Sequence, residues 1–263
     1  MRLACFLVTL AASSAAQSTA VRAGVLLKTS LDGQAIVLKE VYLNGAGPFR
    51  MLVDTGNASS MVRPEIARRL SLKPAYSVEM ASGGGVRRLA AAILDEVRAG
   101  AVYDRAVEVM IGNVPQAGVD GVLGDSWLVR HDYLLDYRNR RMVLDGPAAG
   151  TGIRVPLRST DGRPAVSVAI DGRAADLVVD SGASSLILFE KPASGAALSA
   201  FDTDGGTARG QGCKVHLSLG GARERLMEAF RIDAHGLGSG LLPASVFAGV
   251  YVSNREGFVE FMR

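Results

Sequence analysis

Twice along this chain an apolar, strand-like run ends in aspartate, a hydroxyl residue and glycine. The first copy is MLVDTGNASSMV, from Met51 to Val62, and the second is DLVVDSGASSLI, from Asp176 to Ile187. A carboxylate at the end of an apolar strand is costly to bury unless it is paired or hydrogen-bonded. Repeating that costly feature in the same context predicts that Asp54 and Asp180 share one site.

The repeat extends beyond these motifs. Upstream of each aspartate lies a strand, a two-residue turn and a second strand. The turns are Asn44-Gly45 in IVLKEVYLNGAGPFRMLVDTG and Asp171-Gly172 in AVSVAIDGRAADLVVDSG. Asn-Gly and Asp-Gly between apolar runs are strong hairpin signals. Downstream, VDGVLGDSWLVRHDYLLDYRNRRMVLD corresponds to GLLPASVFAGVYVSNREGFVEF. Each has an apolar pair next to glycine, a strand, a turn and a closing strand. The segment RPEIARRLSL predicts a short helix, with Pro64 suited to its first turn and Ile66 and Leu70 four apart. Strands dominate elsewhere, so the expected fold is all-β with two similar lobes. Residues 24–145 form the first lobe and 153–263 the second, with residues 146–152, rich in Gly, Pro and Ala, as linker.

If the lobes pack about a pseudo-two-fold axis, the equivalent loops meet there and Asp54 faces Asp180. Two carboxylates a few ångströms apart do not readily both ionise, so one proton is shared and the two titrations move apart. Such a pair holds a general base and a general acid at the same pH. Gly56 and Gly182 would let the loops approach closely, and the hydroxyls of Thr55 and Ser181 would tie them together.

The motifs LVDTGNASSMV, VDGVLG and LVVDSGASSLI, with the strand-turn-strand closings, resemble the aspartic protease clan, specifically bacterial retropepsin-like proteins with two tandem lobes. The resemblance covers nearly all of the chain beyond its leader. It implies that each lobe is a small closed β-barrel and that the active site lies between them, with Asp54 and Asp180 as the catalytic pair. It also implies an aspartic-type endopeptidase acting on an extended peptide, with water as nucleophile and no metal or cofactor. The glycine-rich segments ASGGGVRR and DTDGGTARGQG would be flaps over the cleft, through Ser82, Gly83 and Gly84 in the first and Gly205 and Gly206 in the second. The pattern is broken at GLLP, where Pro243 stands in place of the glycine of GVLG, so the second loop is not expected to approach its aspartate in the same way. That departure keeps an alternative open, a peptide-binding or scaffolding module that retains the fold without catalysis.

Other features narrow the reading. MRLACFLVTLAASSAAQ has the order of a secretory signal peptide over residues 1–16, with cleavage after Ala16, so an exported protein, periplasmic or secreted, is expected. Its apolar run is too short for a permanent span, and LAAAIL stops at six residues, so no stable membrane insertion is expected. With the leader gone, Cys213 is the one cysteine left, and it reads as a partly buried filler. The net charge of +3 is spread along the chain, and its densest cluster, Arg138 to Arg141, reads as a hairpin tip and not as a nucleic-acid footprint. His131, His216 and His235 lack metal-ligand spacing, and Trp127 and Leu128 read as core. A monomer that contains its own pseudo-dimer is the expected assembly.

Overall fold

A computed structural model describes residues 24–27, 29–32, 34–82, 85–203, 206–234 and 238–263. The leader residues 1–16 lie outside the described residues, as do Gly83, Gly84, Gly205 and His235. After β1 (Val25–Leu27), the first lobe is built from β2 (Thr29–Asp32), β3 (Ala35–Leu43), β4 (Ala46–Val53), β5 (Ser60–Val62), α1 (Pro64–Arg69), β6 (Tyr76–Ser82), β7 (Gly85–Ala99), β8 (Val102–Ile111) and β9 (Gly121–Leu123). The short helix α2 (Asp125–Leu128) leads to β10 (Tyr133–Asp136), β11 (Arg141–Leu144) and β12 (Ile153–Pro156). The second lobe follows as β13 (Arg158–Thr160), β14 (Arg163–Ile170), β15 (Arg173–Asp180), β16 (Leu186–Leu188), β17 (Ser199–Thr203), β18 (Gly206–Leu219), β19 (Arg225–Arg231) and β20 (Gly240–Pro243). A single 3-10 turn, Ala244–Val246, then leads to β21 (Gly249–Ser253) and β22 (Phe258–Met262).

The two lobes have the same sheet. The first runs β2-β3-β4-β9-β5-β8-β7-β6 and closes through β3–β7; the second runs β13-β14-β15-β20-β16-β19-β18-β17 and closes through β14–β18. Turn chemistry sets their register. Asn44 and Gly45 have φ of 47° and 75°, and Asp171 and Gly172 have φ of 49° and 77°. Both central positions of each turn therefore occupy the left-handed region that Asn, Asp and Gly tolerate, which suits a two-residue hairpin. Leu43 pairs with Ala46 and Ile170 with Arg173 across these turns. In each lobe the strand that ends at the aspartate lies parallel to the strand of the GVLG or GLLP segment. Strands β5 and β9 are buried at every residue, and β4 and β15 become buried as they approach the aspartates, which explains the continuous apolar runs there.

A third sheet joins the lobes in the order β1-β11-β10-β21-β22-β12. It is symmetric about the β10–β21 pair, where Leu135 lies opposite Val250. One apolar core runs through both lobes and this sheet, from Leu27 and Phe49 to Val252 and Phe261. A second cluster, around Val37, Leu52, Met61 and Met110, is confined to the first lobe. Helix α1 forms where expected, buries Ile66 and Ala67, and has no counterpart after β16 among the described residues. No helix among the described residues is long and apolar enough to cross a membrane.

Candidate active site

Strands β4 and β15 deliver Asp54 and Asp180 to the junction of the lobes, where both are buried, at 3% and 7% exposure. The residues after them interlock. Thr55 Oγ1 donates to the Val179 carbonyl at 2.6 Å and accepts from the Ser181 N–H at 2.9 Å. Reciprocally, Ser181 Oγ donates to the Val53 carbonyl at 2.8 Å and accepts from the Thr55 N–H at 3.0 Å. All four bonds cross between lobes in a buried setting, where leaving one partner unsatisfied costs about 1–3 kcal/mol.

The glycines explain how close the loops come. A methyl group built on Gly56 would collide with the Asp180 carboxylate, and one on Gly182 would lie 2.8 Å from Asp54 Oδ1. Each carboxylate thus rests against the loop glycine of the opposite lobe, a space that no side chain leaves free. Backbone donors hold the carboxylates in place. The Gly56 N–H donates to Asp54 Oδ1 at 2.9 Å, and the Gly182 and Ala183 N–H groups donate to Asp180 Oδ1 at 2.7 and 2.9 Å. Such bonds favour the charged form of a carboxylate. The structure therefore brings Asp54, Thr55, Gly56, Asp180, Ser181 and Gly182 together.

The segments expected to be flaps are two-stranded ribbons. In the first, Ser82 ends β6 and pairs with Gly85; in the second, Gly206 opens β18 and pairs with Thr203. Gly83, Gly84 and Gly205 lie outside the described residues.

Pro243 lies beside its aspartate. It is extended (φ −65°, ψ 121°), and the parallel ladder continues through Asp180 opposite Pro243. Pro243 does remove an N–H, and the first lobe shows what that group does. The Gly124 N–H donates to Ser60 Oγ at 3.1 Å, and the Ser60 N–H donates to Ser126 Oγ at 2.8 Å. Nearby, the Asp125 and Ser126 N–H groups donate to the Asn57 and Ala58 carbonyls. Sequence reasoning missed Ser60 and Ser126 as braces. The signal was available, since Ser60 corresponds to Leu186 in the otherwise matching second motif.

A buried polar network behind α2 was also missed. His131 Nε2 lies 2.8 Å from Asp104 Oδ2 and His131 Nδ1 lies 3.0 Å from Asp145 Oδ2, so the histidine is satisfied and buried. Trp127, fully buried as expected, donates its indole N–H to Asp104 Oδ2 at 2.7 Å. The β21–β22 turn docks here from the second lobe. The Asn254 amide donates to the His131 carbonyl at 2.7 Å, and Arg255 Nε donates to Asp132 Oδ2 at 2.7 Å. Cys213 is a half-buried free thiol against the core, with its pKa pushed up chiefly by burial. The Arg138–Arg141 segment is an exposed hairpin tip. Among the described residues no group of three or more His, Cys, Asp or Glu side chains is arranged to hold a metal ion.

Comparison with known proteins agrees with this architecture. Residues 39–130 match the family described as "gag-polyprotein putative aspartyl protease", which places the match on the first lobe and Asp54. The crystal structure of an aspartic proteinase from Irpex lacteus superposes with a TM-score of 0.60, covering 91% of this chain and 97% of that one at 12% identity. At that identity the likeness is one of fold, and it takes in both lobes. No curated protein matches the sequence. The first lobe thus matches an aspartyl protease family, and the chain as a whole has the two-lobed fold of an aspartic proteinase.

Proposed function

We propose that this protein is an aspartic-type endopeptidase in which Asp54 and Asp180 form the catalytic pair. The observation that carries the reading is the packing of each carboxylate against the loop glycine of the other lobe. Two carboxyls held against one another's loops share one proton, so a single site offers a base and an acid. The ionised carboxylate takes a proton from water as the oxygen attacks the scissile carbonyl. The protonated partner donates to that carbonyl oxygen, giving a neutral tetrahedral intermediate. The first carboxyl then donates its proton to the nitrogen while a hydroxyl of the intermediate gives its proton to the second carboxylate, so the C–N bond breaks, releasing a carboxylic acid and an amine and restoring the pair with its one proton.

The β6–β7 and β17–β18 ribbons serve as flaps that pair with the main chain of an extended peptide. One chain supplies both aspartates, so a monomer suffices, and a monomeric elution profile checks this. The leader-like residues 1–16 support export, and a mature N-terminus at Gln17, read by N-terminal sequencing, tests it.

The decisive experiment incubates the purified chain with a diverse peptide pool from acidic to neutral pH, beside Asp54→Asn and Asp180→Asn. Wild-type cleavage is expected, with each substitution lowering it by about 10³-fold or more. A folded wild type that binds peptides without cutting them would instead identify a binding module, the alternative that Pro243 in GLLP first raised.

A further inference from the structure

The two aspartate loops, DTGNASS and DSGASSL, have closely similar sequences but hold their carboxylates differently. In each, the N–H of the loop glycine donates to Oδ1 of its own aspartate. The next N–H along separates them. In the second loop the Ala183 N–H also donates to Asp180 Oδ1, at 2.9 Å, whereas in the first the Asn57 N–H donates to the Asp54 backbone carbonyl, at 3.3 Å. An N–H bonded to a carboxylate favours its ionised form. The different aim of one peptide group therefore favours charge on Asp180 over charge on Asp54.

Strand register adds a cation on the same side. Strand β14 begins at Arg163 and β15 ends at Asp180, and their pairing runs up to Ala165 opposite Val178. Two residues further on, that register carries Arg163 opposite Asp180, with both side chains on one face of the sheet. In the first lobe Val37 lies opposite Leu52, and the same step carries the uncharged Ala35 opposite Asp54. Arg163 is buried at 8% exposure, its guanidinium donating to the Thr160 carbonyl and to Asp161, each at 3.2 Å. The Asp161 side chain is 61% exposed, so water and salt screen its charge more than that of the buried guanidinium. The turn that leads into Arg163 also reaches the other lobe. A methyl group built on Gly162 would lie 3.9 Å from the Ala58 β-carbon, in the Asp54 loop.

We propose that the pair is polarised, with Asp180 as its ionised member and the shared proton on Asp54, and that Arg163 is a positioning residue which, with the Ala183 N–H, fixes this order. The inference rests on the reading that these two aspartates form the reacting pair, and it gives each a separate task. Asp180 takes a proton from water as the water oxygen bonds to the scissile carbonyl carbon, and Asp54 gives its proton to the carbonyl oxygen. Tyr137, just past the end of β10, also feels both aspartates. Burial first, then Asp180 and Asp54, hold its phenol far above the ordinary range, so it stays neutral and adds no charge to either side.

Carbon NMR titration of the aspartate carboxyls tests this without turnover, the two signals being assigned by their loss in Asp54→Asn and Asp180→Asn. The lower of the pair's two steps is expected on Asp180 and the upper on Asp54. Arg163→Gln is expected to raise the lower step by about half a unit to one unit, and Arg163→Lys to restore most of the difference. The acid limb of the kcat/KM profile should move with that step. A lower step on Asp54, or one divided equally between the two, would overturn the proposal, and so would an Arg163→Gln titration identical to wild type. Should Arg163→Gln fail to fold, the order of the steps in wild type still decides. A wild type that titrates in the expected order and cuts no peptide counts against the peptidase reading alone. One that cuts with the order reversed counts against this inference alone.

Discussion

The loop carrying Asp54 is braced by its own lobe, whereas the loop carrying Asp180 leans more on its aspartate and on the other lobe. In the first, Ser60, Ser126 and the backbone of Gly124–Ser126 bond to residues 57–60. In the second, none of those braces recurs among the described residues. Asp180 itself gathers two loop N–H groups, and Ser245, the counterpart of Ser126, donates to Gln34 of the opposite lobe. The difference resolves the Gly124-to-Pro243 departure. Proline lacks the N–H that Gly124 gives to Ser60, and the residue at Ser60's counterpart is Leu186, buried and in need of no donor. Donor and acceptor are replaced together, a change that can be nearly neutral, whereas removing one alone is expensive. Duplicated lobes can thus share a backbone and an aspartate while holding that aspartate by different means.

Substitution can break this comparison most sharply at the glycines. Gly56→Ala should cost about 3 kcal/mol or more and displace Asp180, because its methyl group would meet the carboxylate itself. Gly182→Ala, with 2.8 Å to Asp54 Oδ1, should cost about 1–2 kcal/mol. Denaturant midpoints would reveal the asymmetry, and equal losses would mean that the two loops are equally tight. Next in size, Ser60→Ala leaves the buried Gly124 N–H without its acceptor and should destabilise by about 2 kcal/mol in urea unfolding.

A smaller effect tests the replaced pair directly. Pro243→Gly and Leu186→Ser are each expected to destabilise, but together they restore a donor and an acceptor, so a double-mutant cycle should yield a favourable coupling of about 1 kcal/mol. Zero coupling would leave Pro243 and Leu186 unrelated. The smallest effect concerns Asp125, whose counterpart Ala244 carries no charge. Burial pushes its carboxyl up to about 6 from 3.8. The folded state therefore binds more protons than the unfolded one between these values, and Asp125's contribution to stability declines as pH rises from about 4 to about 6. Asp125→Asn should be the more stable protein at pH 7, by about 1 kcal/mol or less after allowance for solvent screening, with the advantage gone at pH 4. An advantage that persists at pH 4 would assign the gain to something other than charge.

Much of this architecture could be read from the sequence because its signals are local. Asn44-Gly45 and Asp171-Gly172 specify turns within two residues, Pro64 starts a helix, and the repeated Asp-Thr/Ser-Gly motifs announce their pairing through duplication. What escaped notice depends on distant partners of ordinary type. Nothing around Asp104, His131, Asp132, Asp145 or Arg255 marks them as members of one network, because the fold alone makes direct partners of side chains as far apart as Asp132 and Arg255, 123 positions away. Pro243 read as a defect because its partner position, Leu186, lies far away in the chain.

The joining sheet has a consequence for when this chemistry can begin. Strand β10, at its centre, finds its second neighbour only in β21, near the end of the chain. Asp54 likewise waits for a loop 126 residues further on. A chain emerging from synthesis completes the barrel around Asp54 long before Asp180 is made, so its first half carries only one of the two facing aspartates. Under the proposed function, cutting power arrives last, with the docking of the lobes. The growing chain is thereby spared its own activity at the stage when it would be the most exposed substrate in reach.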